Sequence, residues 1–285
     1  MPATEPAERH RVAEYYDSTQ RLYSRLWSRR SVHYGLWLHD TRSREEAMLN
    51  LDRCVADELA LAPGSKVLDA GCGIGGTSLF LAGERGMDVL GITLSGDQLR
   101  RAKQLAARSI IDRPPVYETR DFLATGLPSG SFDGVVAIES SCYASDSANF
   151  ISEAARLLRP GGRLVVADGF VTRDLDAADR RRLRRMLSGW AMVALEHQDG
   201  FHANLERHGF EHVVRSDRQA EILPSARQIA RLSWLGLGVM ALPYLFGRVP
   251  KIWVDHGVAG VSQHKLFRNG AVGYRIFRAT RAAWP

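Results

Sequence analysis

Residues 67–76 read VLDAGCGIGG, an apolar run ending near Asp69 that breaks at once into Gly71, Gly73, Gly75 and Gly76. Glycine at that density behind a strand marks a sharp turn into a helix, where the backbone must approach a neighbour or ligand more closely than a side chain allows. From Lys66 onward the same alternation continues. KVLDAG, MDVLGIT, PVYETRD, FDGVVAIES and RLVVADGF are short apolar runs, whereas GTSLFLAGER, SGDQLRRAKQLAARS and NFISEAARLL have helical spacing. With FEHVVRSD and VGYRIFRATR as two further strands, the pattern predicts an α/β chain: a doubly wound, mostly parallel, seven-stranded sheet with a Rossmann-like arrangement of helices.

The 285 residues suffice for one large core with additions. We expect an N-terminal helical cap over residues 1–65, a core over 66–285, and a helical lid insert at about 224–250. The first part carries Tyr15, Tyr16, Tyr23, Trp27, Tyr34 and Trp37, more rings than a short arm needs unless they cover a core or line a cavity. The most apolar stretch, Trp234 to Gly247, is too short to span a bilayer and contains Pro243, so no stable membrane insertion is expected.

The net charge of +6 is spread as arginine along the chain; RRRLRRM places Leu183, Met186, Leu187 and Trp190 on one helical face and Arg181, Arg182 and Arg185 on the other. A solvated arginine face is the expected reading, and no nucleic-acid partner is expected. Three dispersed cysteines fit a reducing cytoplasm, and MPATEPAERH lacks the apolar core of a signal peptide. The histidines at 197, 202, 208 and 212 match no ligand spacing, so no metal site is expected.

Read literally, Gly71, Gly73 and Gly76 satisfy the dinucleotide fingerprint. Two features oppose it. Asp69 puts a carboxylate where a pyrophosphate would sit, and Thr93 stands where the ribose-binding carboxylate after the second strand belongs. A cationic ligand carrying an amino acid and an adenosine suits Asp69 and bare backbone far better, and S-adenosylmethionine is such a ligand.

VLDAGCGIGG resembles the first motif of class I S-adenosylmethionine-dependent methyltransferases, and GITLSGDQLRRA, RDF, LPSGSFDGVVAIES and LLRPGGRLVVAD resemble their later motifs in order. YYDSTQRLY, HYGLW and AIESSCYA are similar to the branch holding sterol and tocopherol methyltransferases and bacterial natural-product methyltransferases. The sterol pattern has histidine where this chain has Tyr143, which departs from a sterol acceptor.

The resemblance implies that Asp69, Gly71 and Gly73 hold the methionine end, Thr93 and Gln98 the ribose, and Asp121 and Phe122 the adenine, with Tyr34 and Glu139 also at the cofactor. His33 and Tyr34 are expected to close over the sulfonium. Glu139, Tyr143, His33, Tyr16 and Asp168 are the candidate catalytic groups; Asp168 either orients an acceptor or caps the next helix. A methyl sulfonium is already electrophilic, so in-line placement and exclusion of water are the main tasks, and no nucleophile triad is needed. The expected acceptor is a small hydrophobic molecule, with C-methylation of an isoprenoid or prenylated natural product favoured. O-methylation of a polyketide, phenol, sugar or carboxylate is the alternative, and nucleic-acid methylation a remoter one. Association as a homo-oligomer is left open.

Overall fold

The computed structural model describes residues 6–28 and 30–283, with the side chains of 6, 8, 9 and 20–26 outside the description. Two helices, α1 (Pro6–Leu26) and α2 (Arg44–Leu59), precede the alternating part. That part runs β1 (Lys66–Ala70), α3 (Gly76–Arg85), β2 (Asp88–Thr93), α4 (Gly96–Ala107), β3 (Val116–Thr119) and β4 (Phe132–Ile138). It continues through a short 3-10 turn (Ser141–Tyr143), α5 (Ser147–Leu157), β5 (Leu158–Val171), α6 (Ala177–Gly189), α7 (Gln198–Arg207) and β6 (Phe210–Asp217). The helices α8 (Gln219–Leu245) and α9 (Lys251–Arg268) then lead into β7 (Val272–Arg281).

The strands form one seven-stranded sheet in the order β3-β2-β1-β4-β5-β7-β6, parallel from β3 to β5, with β7 antiparallel to both its neighbours. Strands buried on both sides carry apolar residues at successive positions. Val136 and Val165 face one layer with Leu51, Val55 and Met186, while Val135, Leu164 and Val166 face the other with Phe150, Phe170 and Phe201. Serine, as read from the sequence, starts α4: the Ser95 hydroxyl accepts from the Gln98 amide at 3.1 Å.

Chain connections leave β1 in one direction and β4 in the other, so a crevice opens beyond their carboxyl ends at this topological switch point. α1 lies across the start of α4, where the Ser95 hydroxyl donates to Asp17 Oδ1 at 2.5 Å. The loop His33–Trp37 is stitched to α8, because Ser225 Oγ accepts from the Gly35 amide (3.1 Å) and from Trp37 Nε1 (2.9 Å).

The helical excursion between β6 and β7 is larger than the insert expected at 224–250, since α8 begins at Gln219 and α9 extends to Arg268. Pro224 reads as a helix boundary, yet α8 passes through it with Ile222 fully buried before it and Ser225 and Ala226 after it. In α6, Met186 is buried and Leu183, Leu187 and Trp190 pack on the core as their spacing predicts. Arg181 and Arg185 face solvent, but Arg182 pairs with the buried Asp179 at 2.8 Å.

Candidate active site

The crevice continues into a cavity of about 630 Å³ roofed by α1, α8 and α9. At its base the chain leaves β1 through Gly71, whose φ of +87° is open to glycine and strained for other residues. A Cβ there would stand 2.4 Å from Ser140 Cβ, so strand ends β1 and β4 meet at van der Waals contact. The Gly71 and Cys72 amides both donate to the Ile92 carbonyl, at 3.0 and 2.9 Å, which fixes the turn against β2.

Asp69 is buried on the cavity wall, and the Ser78 hydroxyl donates to its Oδ2 at 2.5 Å. Burial pushes its carboxyl up to about 6 although the Ser78 bond pulls the other way. Thr93 donates to Gln98 Oε1 at 2.8 Å, and both residues line the cavity. Gly73 and Phe122 line the same end, Phe122 being held edge-on against Phe150 with ring centroids 5.5 Å apart. Asp121 is not on the wall: it is buried, and its Oδ1 accepts from the Leu123 amide at 2.9 Å. A carboxylate directly after a strand is used here to hold the following turn.

Behind the glycine loop lies a polar cluster that sequence reasoning missed. Asp52, fully buried on α2, accepts from Thr77 Oγ1 at 2.7 Å and faces His33 Nε2 at 3.6 Å and the Arg30 guanidinium at 3.8 Å. Arg30 Nε, Ser31 Oγ, His33 Nε2 and Asp52 Oδ2 are buried without a hydrogen-bond partner among the described residues. Ser31 and His33 also line the cavity, so their orphaned atoms, with Asp69 and the glycine backbone, fit the amino-acid end of S-adenosylmethionine, whose bound form supplies the methyl group on a positive sulfur.

Glu139, directly after β4, has a left-handed φ of +50° and lines the cavity. Its Oε1 accepts from the Tyr34 amide at 2.8 Å and from the Tyr274 hydroxyl at 2.9 Å. Burial raises its carboxyl to about 7, against the pull of His33 and these two bonds. His33 is buried; its Nδ1 lies 2.6 Å from the Tyr34 carbonyl oxygen. Burial works to lower the His33 pKa, but the Asp52 carboxylate together with Glu139 and the Tyr34 carbonyl turns the net shift upward.

Tyr34 itself is buried on the wall, its hydroxyl donating to Gln263 Oε1 of α9 at 2.9 Å. Tyr16 donates to the Tyr143 hydroxyl at 2.8 Å, and Tyr143 in turn to the Trp190 carbonyl at 3.2 Å. Asp168 neither caps α6, whose N-cap is Asp176, nor stands open. Its Oδ2 accepts from Ser141 Oγ (2.6 Å) and the Cys142 amide (3.2 Å), and its Oδ1 from the Gly169 amide (2.8 Å). Burial lifts it to about 6.

Of the residues read from the sequence, then, all but Asp121 share one wall. Of the aromatic arm, Tyr16, Trp27 and Tyr34 line the cavity, Tyr15 is buried, Trp37 is tied to Ser225, and the side chain of Tyr23 lies outside the described residues. The sequence reading missed Tyr274, Asp52 and His256. The last has its Nδ1 2.8 Å from the Tyr15 hydroxyl, and burial lowers it to about 4. Asp52 carries a legible signal, a charged residue between Met48, Leu51 and Val55 on the apolar face of α2.

Residues 68–166 match the methyltransferase domain family. The chain is 32% identical over 236 residues to the 27-O-demethylrifamycin SV methyltransferase of Amycolatopsis mediterranei, covering 82% of this chain and 85% of that one. It is 34% identical over 206 residues to the 2-methyl-6-phytyl-1,4-hydroquinone methyltransferase of a Synechocystis strain, covering 70% of this chain and 60% of the relative. The crystal structure of the [4+2]-cyclase SpnF shares the fold with a TM-score of 0.81 at 23% identity, over 96% of each chain. No helix among the described residues is long and apolar enough to cross a membrane. The glycine turn, the buried Asp69 and these relatives converge, and the chain belongs to the S-adenosylmethionine-dependent methyltransferases.

Proposed function

We propose that the enzyme transfers the methyl group to carbon on a small, uncharged, hydrophobic acceptor of isoprenoid or prenylated character. One observation carries this reading: the half-buried Glu139 lines a cavity together with the rings of Tyr16, Trp27, Tyr143, Trp190 and Phe267. Methylating a double bond or an electron-rich ring leaves a cationic carbon skeleton, which ring faces and a carboxylate stabilise and from which a base removes a proton. Glu139, raised to about 7, is suited to take that proton near neutral pH.

Among the described residues, Asp69, Glu139 and Asp168 stand on the wall with one arginine, Arg120, close to Phe122. The helical arm before residue 66 and the helices between β6 and β7 act as the cover that excludes water, while the sheet grips the cofactor. The prenylated acceptor in the name of the Synechocystis relative agrees with this choice. The three thiols, dispersed and unpaired with one another, support a cytoplasmic location.

A second reading is O-methylation. His256 lines the cavity, and its neutral imidazole can accept a hydrogen bond that orients an acceptor hydroxyl. The test is incubation with methyl-labelled cofactor and a panel of prenylated quinols and polyketide phenols, followed by fragment mass spectrometry. A label on carbon supports the first reading; a label only on oxygen replaces it with the second.

A further inference from the structure

α8 is apolar on two sides, and only one of them is covered. Ser233, Leu237 and Ile229 pack on α9, where Gly257 and Gly260 admit them at contact distance. On the outer side, Trp234, Leu235, Val239, Leu242, Leu245 and Phe246 each expose 64–79% of their surface. At ~100° per residue these six fall within an arc of about 140°. They amount to several hundred Å² of contiguous apolar surface, beyond the scattered apolar residues that an ordinary monomer shows.

Along α8 and just past it, the exposed charges flanking this face are basic: Arg231 and Arg227 are exposed one and two turns before Trp234 on the same arc, and Arg248 is exposed just past Phe246. From Leu232 to Gly247 there is no charged residue. The acidic groups nearest in sequence are Glu221, near Arg218 at 3.6 Å, and Asp255, paired with Lys251. Leu235 and Val239 belong both to this face and to the wall of the cavity, so its mouth opens onto the patch.

We propose that the outer face of α8 docks on the surface of a bilayer carrying anionic lipids, with the apolar arc lying among the acyl boundary and the arginines at the headgroups. An apolar stripe edged by arginine is the pattern that binds such an interface, since burial and attraction to acidic headgroups add. The cavity mouth then faces the lipid. The surface is argued from α8 alone and does not depend on which atom of the acceptor is methylated.

The full-length protein is centrifuged with vesicles of phosphatidylcholine alone, or with about one-third phosphatidylglycerol, at low and at physiological salt. The expected result is co-sedimentation with the anionic vesicles, at least roughly tenfold above the neutral ones and weakened by salt. A Leu242→Ser/Leu245→Ser/Phe246→Ser variant should lose binding to both while its cofactor affinity by calorimetry stays at the wild-type value. Arg227→Glu/Arg231→Glu should remove the preference for anionic vesicles. Sedimentation with neither vesicle, or equally with both, overturns the proposal. So does a chain that is dimeric at the assay concentration and that the triple serine variant makes monomeric, because a second copy then covers the face.

Discussion

The Tyr274 hydroxyl and the Tyr34 amide donate to the same oxygen of Glu139, at 2.9 and 2.8 Å, so one carboxylate oxygen ties β7 and the N-terminal loop to the end of β4. Both bonds favour the ionised carboxylate and oppose the burial that lifts it to about 7. Tyr274→Phe therefore raises the Glu139 pKa further. If ionised Glu139 takes the proton, the rise of turnover with pH moves upward by roughly half to one unit. A pH profile at saturating cofactor reads this, and an unmoved limb would remove Glu139 from the rate-determining proton transfer.

Glu139→Gln should retain cofactor affinity by calorimetry and lose at least about a hundredfold in turnover. Its stability carries a second signature. A carboxyl whose folded pKa is raised, from 4.5 to about 7, contributes stability that is fully present below about 4.5 and lost as pH rises through about 7. The glutamine has no such loss. Relative to wild type, the variant should thus gain stability between pH 5 and pH 8 by up to ~3 kcal/mol, measured by denaturant titration at both pH values.

Gly71→Val places a branched side chain at φ +87° and against Ser140 Cβ. Loss of cofactor binding and a stability decrease of more than ~2 kcal/mol are expected. Pairing Gly71→Ala with Ser140→Gly relieves the contact and leaves the backbone strain, so it should recover part of the stability in a thermal melt. Full recovery would show that the dihedral costs little.

Asp52→Asn leaves His33 buried without the carboxylate that raises it, so its pKa should fall below 6.5. The sign is testable by following the His33 imidazole through a titration by NMR. Loss of the charged partner of Thr77 and Arg30 should also cost about 1–3 kcal/mol of stability. A pKa that stays above 6.5 would mean that Glu139 or the Tyr34 carbonyl, not Asp52, sets it.

The periodic part of the chain was readable in advance because the central strands β1, β4 and β5 are buried on both sides and the intervening helices begin or end on local signals, such as Ser95 at α4. Asp69 and Thr93 were readable for a similar reason, since each stands near the carboxyl end of its strand, while the reading of Gln98, in the first turn of α4, rests on the family resemblance. What escaped is long-range. The bonds from Tyr34 and Tyr274 to Glu139 span 105 and 135 residues, and no spacing rule connects such positions. The full extent of α8 was hidden by Pro224, which tertiary burial of Ile222 and Ala226 overrides. Asp121 is a strand-end carboxylate whose Oδ1 holds its own turn through the Leu123 amide, a local role that spacing alone does not separate from a ligand contact.

β6 and β7 are paired with each other, yet the two helices α8 and α9 leave and return between them. Such an excursion is pinned at both ends by ladder hydrogen bonds, so its length and side chains can change while the register of the strands stays fixed. The share of the cavity wall that α8 and α9 supply, Ile229 to Met240 and Trp253 to Phe267, is therefore free to vary on a fixed sheet.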